Sequence, residues 1–499
     1  CKVTAESSAS NSILKYTVMA EANTDTSDRE AKVTVKAGGS EVGSFTVKQT
    51  AADGLIISNS TSFDLPAAGG DVSVVVETNG DVQAVSDVSW IKAVNTRAME
   101  DKIFKFTVSP NPLGAREGHI SFTLGSLTET VTVKQGAGET GNMESDARTL
   151  AAKMYAGINI GNTLEACDNK NKIAGETLWG NPKVSEAYVK GLKALGFNAV
   201  RIPCAWDYYI VNPSTYEIDA VWLDRVSEVV GYCVANDMYA IVNIHWDGGW
   251  LEESITHGYS SEVDAKQKAI WTQIANKLNA YDEHLLFAGC NEPGQQDQGN
   301  VGTSAIDVIL KYEQTFIDAV RATGGNNASR CLIVQGPYTN IDKTVNDYTM
   351  PKDEVPDRLM VEVHFYDPYQ FTMMNHDETW GKVFLYWGKD NHVSGSIHNA
   401  TGYEEDYVKL QFQKMKTAYA DKGIPVIVGE YSAMKRAKED KIEGTSELAY
   451  PDIDREMHNK SRAYWNEVVT REAKKHGCVP FYWETGGDMN RGTGTAKEA

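Results

Sequence analysis

Two glutamates carry the pattern with the most chemistry in it. Glu292 lies in Asn291-Glu292-Pro293 and Glu430 in Gly429-Glu430, each where an apolar, β-rich run gives out. Cleaving a glycosidic bond takes two carboxyls with different tasks. One holds a proton for the leaving oxygen, and the other is ionised and attacks the anomeric carbon. A retaining arrangement sets them about 5–5.5 Å apart. Arg201, His245, His364, Tyr366 and Trp483 also end apolar runs, and a polar group is costly in such a place unless it serves a site. Arg201 and Tyr366 are expected to stabilise an anionic Glu430, leaving Glu292 less compensated and protonated near neutrality. Asn291 can hydrogen-bond a sugar 2-hydroxyl, and Trp483 can face the reacting ring. Trp250 and Trp206 fall near strand ends, where stacking on sugar and packing in the core are equal alternatives.

Either glutamate motif alone carries little, because a Pro after a polar pair often just starts a turn or a helix. Their joint occurrence, with the surrounding polar groups, carries the reading. His245 and His364 could ligate a metal, but their flanks lack zinc-site spacing, so no metal is expected. Buried, hydrogen-bonded structural histidines are the plainer alternative. No organic cofactor is implied, since acid/base and covalent steps suffice.

The elements that must position these groups begin near residue 150. Eight candidate strands, at 155–161, 199–203, 239–246, 285–293, 331–337, 359–366, 425–432 and 478–485, alternate with amphipathic helical patterns. Several strands are apolar on both faces, as buried parallel strands are. Trp222, Val226, Val229 and Cys233 recur at helical spacing, as do Ile270, Ile274 and Leu278, while the segment after the fifth strand gives the poorest helix. Eight strands with interposed helices predict an α/β architecture, a (β/α)8 TIM barrel. Such barrels work at the C-terminal ends of their strands, where the polar groups above fall. Strands four and seven stand on opposite walls, so Glu292 and Glu430 can face each other across the axis. The segment 367–403 holds Tyr369, Phe371, Trp380, Phe384, Tyr386 and Trp387, which can wall a cleft or pack the loop itself.

Residues 1–138 are of another kind, rich in Thr, Val, Ser and Gly, with short alternating runs and turn signals such as Gly69-Gly70 and Asn79-Gly80. This is the pattern of small all-β, immunoglobulin-like sandwich modules. A repeat runs through it. Leu14-Lys15-Tyr16-Thr17-Val18 matches Phe104-Lys105-Phe106-Thr107-Val108, Arg29-Glu30 matches Arg116-Glu117, and Thr46-Val47-Lys48-Gln49 matches Thr132-Val133-Lys134-Gln135. The chain then reads as a truncated sandwich at 1–52, a second at 54–138, a linker at 139–147 and a barrel at 148–499. By this register Cys1 follows the position of Trp90 and is a strand residue rather than a lipoprotein cysteine. Residues 495–499 can start an eighth helix that nothing continues, and both termini are expected to be incomplete. The seven cysteines lack metal or disulfide-framework spacing and are expected as buried small hydrophobes.

The 499 residues leave room for a large core and several domains. A net charge of −20 disfavours nucleic acid and anionic membranes, which attract clustered Lys and Arg. Neutral polysaccharide suits this balance, and aromatics are plentiful, with 11 Trp and 23 Tyr. No apolar stretch is long enough to cross a bilayer, so no membrane insertion by this chain is expected. The expectation is a monomer, secreted or at the cell surface.

Taken together, Ile158-Asn159-Ile160-Gly161-Asn162, Arg201-Ile202-Pro203, His245, Asn291-Glu292-Pro293, His364-Phe365-Tyr366, Gly429-Glu430 and Phe481-Tyr482-Trp483 resemble glycoside hydrolase family 5 across 148–495. The resemblance implies that Glu292 is the acid/base and Glu430 the nucleophile. It implies that Arg201, His245, Asn291, His364, Tyr366 and Trp483 form the surrounding shell. Trp179-Gly180-Asn181-Pro182 and the run from Val242 to Trp250 resemble the broad-specificity endoglucanase branch. One departure, Trp246 in place of a second His found in many relatives, bears on sugar contacts rather than on the chemistry. Val88-Ser89-Trp90-Ile91 and Val131-Thr132-Val133-Lys134-Gln135 resemble the BACON domain. Few Trp in that module favour a spacer over a glycan-binding role. The family resemblance implies a retaining endo-β-1,4-glucanase that cleaves cellulose-like chains, mixed-linkage glucan, xyloglucan or glucomannan by double displacement. Two alternatives stand beside it: a mannanase or xylanase on the same scaffold, and a catalytically silent glycan-binding protein, which the presence of both glutamates disfavours.

Overall fold

The computed structural model describes residues 2–6, 15–66, 69–88, 90–94, 103–108, 115–136, 143–294 and 303–497. Cys1, Leu14, Ser89, residues 137–142 at the junction of the second sandwich and the linker, and the final 498–499, all used above, lie outside them. The chain divides into an N-terminal unit, Cys1–Asn111 with Ala115–Gly138, and a C-terminal unit that includes Glu139–Ala499.

Alternation decides the N-terminal unit. In Gly70–Thr78 the residues Val72, Val74 and Val76 are buried and those between them are not, so one face of the strand builds a core. Two four-stranded sheets result. One runs Leu55–Ile57, Gly70–Thr78, Ile103–Val108, Ile91–Ala93, and the other Ser62–Leu65, Leu127–Gln135, Arg116–Leu124, Gln83–Ser86. They enclose Phe106, Ile120, Phe122, Val131 and Val133 as a β-sandwich. The repeat is visible in space as well. Arg29–Ala37 pairs with Ser40–Gln49 as Arg116–Leu124 pairs with Leu127–Gln135. In both hairpins the opening Arg donates to the closing Gln, Arg29 Nε to Gln49 Oε1 at 3.0 Å and Arg116 Nε to Gln135 Oε1 at 2.8 Å.

In the C-terminal unit eight parallel strands close a barrel, the first pairing with the eighth. They are Gly157–Asn159, Ala199–Ile202, Tyr239–Asn243, Leu285–Ala288, Leu332–Gln335, Leu359–His364, Val426–Tyr431 and Cys478–Tyr482. Every expected strand is present and shorter at its ends, because the ladder gives way to the loops that carry polar groups. Helices such as Ala220–Ala235, Ser261–Leu278 and Arg455–Lys475 cover the strands. Their starts are set locally: Ser260 and Asp454 accept the N–H three residues on, and Asp219 accepts that of Val221. The helix after the fifth strand is the short Ile341–Asp347. The expected helix at 495 does not form. Gly494, at φ 70°, turns the chain back, Asn490 donates to the Thr495 carbonyl at 2.8 Å, and Ala496 bridges to Met489.

Parity sorts the barrel strands. Val200, Ile202, Val242, Phe287, Val334, Val361 and Val363 point outward and join the apolar faces of the helices. Ala199, Ile241, Leu286, Ile333, Met360, Ile427 and Phe481 point inward and pack with the helix Ala147–Lys153. One step further along the strands the inward positions become Asn159, Arg201, Asn243, Gln335 and Glu362, none of them exposed. A buried polar layer thus rests on an apolar one. The six described cysteines are buried and unpaired, as expected. Among the described residues no helix is long and apolar enough to cross a membrane.

Candidate active site

The polar layer leads directly to the site. Glu362 and His364 share the inner face of the sixth strand. Pairing with the seventh runs Glu362 to Ile427 and Val363 to Val428, then slips, so that His364 stands opposite Glu430 and Gly429 is passed over. Strict alternation would turn Glu430 outward with Val428; the bulge turns it in. Gly429 is needed there, since a Cβ would run into Glu362 Oε1.

Glu430 is buried. Its Oε1 accepts from Arg201 Nη1 at 2.9 Å and its Oε2 from the Tyr366 hydroxyl at 2.9 Å. His364 Nδ1 lies 3.7 Å from Glu430 Oε2 and 2.7 Å from Glu292 Oε1, and its Nε2 is 3.3 Å from Glu362 Oε1. Arg201 is wholly buried and shared among four partners. Besides Glu430 it meets Glu362 at 2.9 Å, Asn159 at 3.1 Å and Asn291 at 2.8 Å. One oxygen of Glu292, one of Glu430 and a ring nitrogen of His364 all lie within 4.8 Å of one another.

Burial pushes the Glu430 carboxyl up from its ordinary value and the Glu292 charge adds to the push, while His364, Arg201 and the Tyr366 hydroxyl pull it down. Burial would lower His364, but Glu430, Glu292 and Glu362 hold it up at about 10, so it is a cation at neutrality. Glu362 stays below its ordinary value in spite of burial because Arg201 and His364 face it. His245 is the contrast: burial, then the Arg201 charge, holds it well below its ordinary value, and it stays neutral. Its ring stacks on Trp483 with centroids 5.6 Å apart and planes 8° apart, and its Nδ1 is 3.2 Å from the Asn243 amide.

Arg201 and Tyr366 contact Glu430 as expected. The structure adds a contact to Glu292 that the sequence did not suggest, His364 Nδ1 at 2.7 Å. Among the described residues Glu292, His364 and Glu430 form the one group close enough to hold a metal. They suit it poorly, since a protonated His364 offers no lone pair and the Arg201 guanidinium would repel a cation.

His245, Asn291, Glu292, Tyr366, Glu430 and Trp483 line a cavity of about 820 Å³. Trp250 does not reach it, which corrects the expectation that it stacks on sugar. Its indole N–H donates to Asp247 at 3.1 Å and Lys266 Nζ covers its ring at 4.2 Å. The chain turns through Trp246 and Asp247 at positive φ, and Trp246 faces the cavity instead. Trp206 is core. Of the aromatics in 367–403, Phe371, Phe384, Tyr386 and Trp387 are buried, while Tyr369, Trp380 and Tyr403 are exposed.

Glu362, with Asn159, Asn243 and Gln335, belongs to the floor of the site and is absent from the sequence-based set. A signal for it exists. In Met360-Val361-Glu362-Val363-His364 the glutamate stands two residues before the expected histidine, hence on the same face. A carboxylate inside a buried strand also requires a cationic partner, and Arg201 is one.

A closed barrel with two glutamates meeting at its C-terminal mouth fits the class of TIM-barrel glycoside hydrolases. The sequence matches Cellulase (glycosyl hydrolase family 5) over residues 163–488 and BACON (Putative binding domain, N-terminal) over 1–50 and 69–136. The chain belongs to the cellulase family, glycosyl hydrolase family 5, and is a glycoside hydrolase of the endo-β-1,4-glucanase type. It is 32% identical over 449 residues, 85% of each chain, to the xyloglucan-specific endo-β-1,4-glucanase of Bacteroides ovatus. Among solved structures, a Bacteroides ovatus GH5 xyloglucanase in complex with a XXXG heptasaccharide is similar at TM-score 0.63 and 29% identity, covering 89% of this chain and 97% of that one. A xyloglucan-specific β-1,4-glucanase from a ruminal metagenomic library, in complex with XXLG, is similar at TM-score 0.60 and 38% identity, covering 71% and 93%.

Proposed function

We propose that the barrel is a retaining endo-β-1,4-glucanase, with Glu292 as general acid/base and Glu430 as nucleophile, acting on β-1,4-glucan backbones that include xyloglucan. The approach of the two carboxyls carries the proposal, an oxygen of each within 4.8 Å of the other. That closeness favours a retaining pair, whose carboxyls stand about 5–5.5 Å apart, over an inverting pair at about 6.5–9.5 Å.

The hydrogen bonds support the roles. Arg201 and Tyr366 both donate to Glu430, which suits the ionised partner of the pair. Glu430, held at both oxygens by Arg201 and Tyr366, then attacks the anomeric carbon while Glu292 protonates the leaving oxygen. Glu292, having given its proton to the leaving oxygen, is the carboxylate that takes a proton from the attacking water as the glycosyl ester opens. Asn291, its oxygen held by Arg201, has its NH2 left to donate to the 2-hydroxyl. Trp483, backed by neutral His245, offers a flat face to the ring.

The xyloglucan-specific relatives and the cavity of about 820 Å³ support a branched backbone as substrate. Such polymers are too large to enter a cell, which supports action outside it or at its surface. We assign sandwich modules at 1–52 and 54–138 and a linker at 139–147 ahead of a monomeric barrel at 148–499. The modules fit a spacer role, since the ring of Trp90, the lone Trp of the second, lies under Arg116 at 4.2 Å. Product sizing on xyloglucan, carboxymethylcellulose, mixed-linkage glucan, glucomannan, mannan and xylan tests the reading. Internal cleavage of the glucans is expected, with a loss of about 10²–10⁴-fold in Glu292→Gln. Activity confined to mannan or xylan, or full activity in Glu292→Gln, contradicts it.

A further inference from the structure

Glu252 is a buried carboxyl with no task in the two steps above. It is 1% exposed and lies between the third barrel strand and the helix Ser261–Leu278. A carboxyl is costly in such a place unless its hydrogen bonds are needed, and those of Glu252 go to the parts of the chain that carry the site. Its Oε1 accepts the Trp246 N–H at 3.0 Å. Its backbone carbonyl accepts the Gly294 N–H at 3.0 Å, two residues past Glu292. The Glu292 N–H favours the charged form of the Glu252 carboxyl, while the charges of Glu292 and Glu430 oppose it.

The turn that Glu252 holds is strained. Trp246 stands at φ 47° and ψ −73° and Asp247 at φ 53°, followed by Gly248 at φ 73° and Gly249 at φ 76°. Two successive residues with side chains keep such angles only where their surroundings impose them. Asp247 is fixed on one side, its Oδ2 accepting the Trp206 N–H at 2.6 Å and the Trp250 indole N–H at 3.1 Å. Glu252 fixes Trp246 on the other. Trp246 and Glu292 line the same cavity, so one residue ties a cavity-facing turn to the main chain of the acid/base. Burial raises Glu252 to about 8, and its Oε2 has no hydrogen-bond partner among the described residues. It is therefore a neutral acid at neutrality and holds its partners without adding a negative charge beside Glu292 and Glu430.

We infer that Glu252 is a positioning residue for the acid/base: it fixes the main chain around Glu292 and the Trp246 turn against each other, and so aims the Glu292 carboxyl at the leaving oxygen. The inference rests on the hydrolase reading above and deepens it. It implies a selective defect. A displaced general acid slows leaving groups that need a proton and spares those that do not, whereas a loosened site slows both.

The test compares kcat/KM on cellotetraose with kcat/KM on dinitrophenyl β-cellobioside, whose phenolate departs without a proton. In Glu252→Ala the loss is expected to be about 10²-fold on cellotetraose and less than about threefold on the aryl glycoside. Glu252→Gln, neutral and of the same shape, is expected to restore most of the loss. An equal loss on both substrates, no loss on cellotetraose, or a Gln variant no better than the Ala variant overturns the positioning role. If Glu252→Ala does not fold, Glu252→Asp, which draws the carboxyl back by one methylene, is expected to show the same split, and the absence of a split overturns the role. Glu292→Ala is the reference and is expected to show the split more strongly. A Glu292→Ala variant that loses both substrates alike overturns the acid/base reading itself. A split in Glu292→Ala with none in the Glu252 variants overturns the positioning role alone.

Discussion

His364 is the residue through which both carboxyls of the pair feel one another, at 2.7 Å from Glu292 and 3.7 Å from Glu430. His364→Asn removes a cation that lowers the Glu430 carboxyl and leaves the burial and the Glu292 charge that raise it. The acid limb of kcat/KM is therefore expected to move to higher pH, with kcat falling about 10²-fold. A pH–rate profile checks this, and a limb that stays or moves down contradicts it. Most of this site is legible in the sequence. A charged or amide side chain ending an apolar strand is conspicuous, and Arg201, His245, Asn291, Glu292, His364, Tyr366, Glu430 and Trp483 all converge on the mouth of the barrel. Trp250 is not legible, because an indole near a strand end looks the same whether it faces a cleft or a lysine. The left-handed turn at Trp246 and Asp247 decides the matter, and neither residue type announces it. The charge states are hidden for a similar reason, since burial and distance set them.

At the scale of elements, the bulge in the seventh strand is what delivers the nucleophile candidate. Gly429→Ala is expected to force the strand and Glu362 apart, costing about 1–3 kcal/mol of stability, as overpacking does. Turnover is expected to fall with it, because Glu430 leaves its place opposite His364. Thermal unfolding and kcat measured together check this, and a variant unchanged in both contradicts it. The strands themselves are readable from their apolar runs. The slip between Val428 and Glu430 is not, because Val-Gly-Glu is as compatible with regular pairing as with a bulge. The missing helix at 495 fails for a local reason that pattern alone understates: two glycines around Thr493 favour a turn over a helical start.

At the scale of the whole molecule, the division into a Thr- and Val-rich part and a barrel part is plain in composition, and two packed units follow it. The pH dependence of stability is not plain in composition. Burial raises Glu165 and Asp247 to about 7, and Glu252 and Glu313 to about 8. The folded chain keeps these protons after the unfolded chain has lost them, so their contribution is present at low pH and is lost as pH rises through those values. His364, raised to about 10, acts in the same sense above 6.5, and His458, lowered by burial to about 4, opposes only below 6.5. Between about pH 6.5 and 9 the signs agree, and the self-repulsion of a chain at −20 adds to them. Calorimetry is expected to show Tm falling across that window, and a rise contradicts the assignment. What the molecule does as a whole is read most directly from the first sugar it releases. If Glu430 forms a glycosyl ester that Glu292 helps water to open, proton NMR in the first minutes of xyloglucan hydrolysis shows the β-anomer of the new reducing end, with the α-anomer growing in only by mutarotation. The α-anomer arriving first would contradict the double displacement.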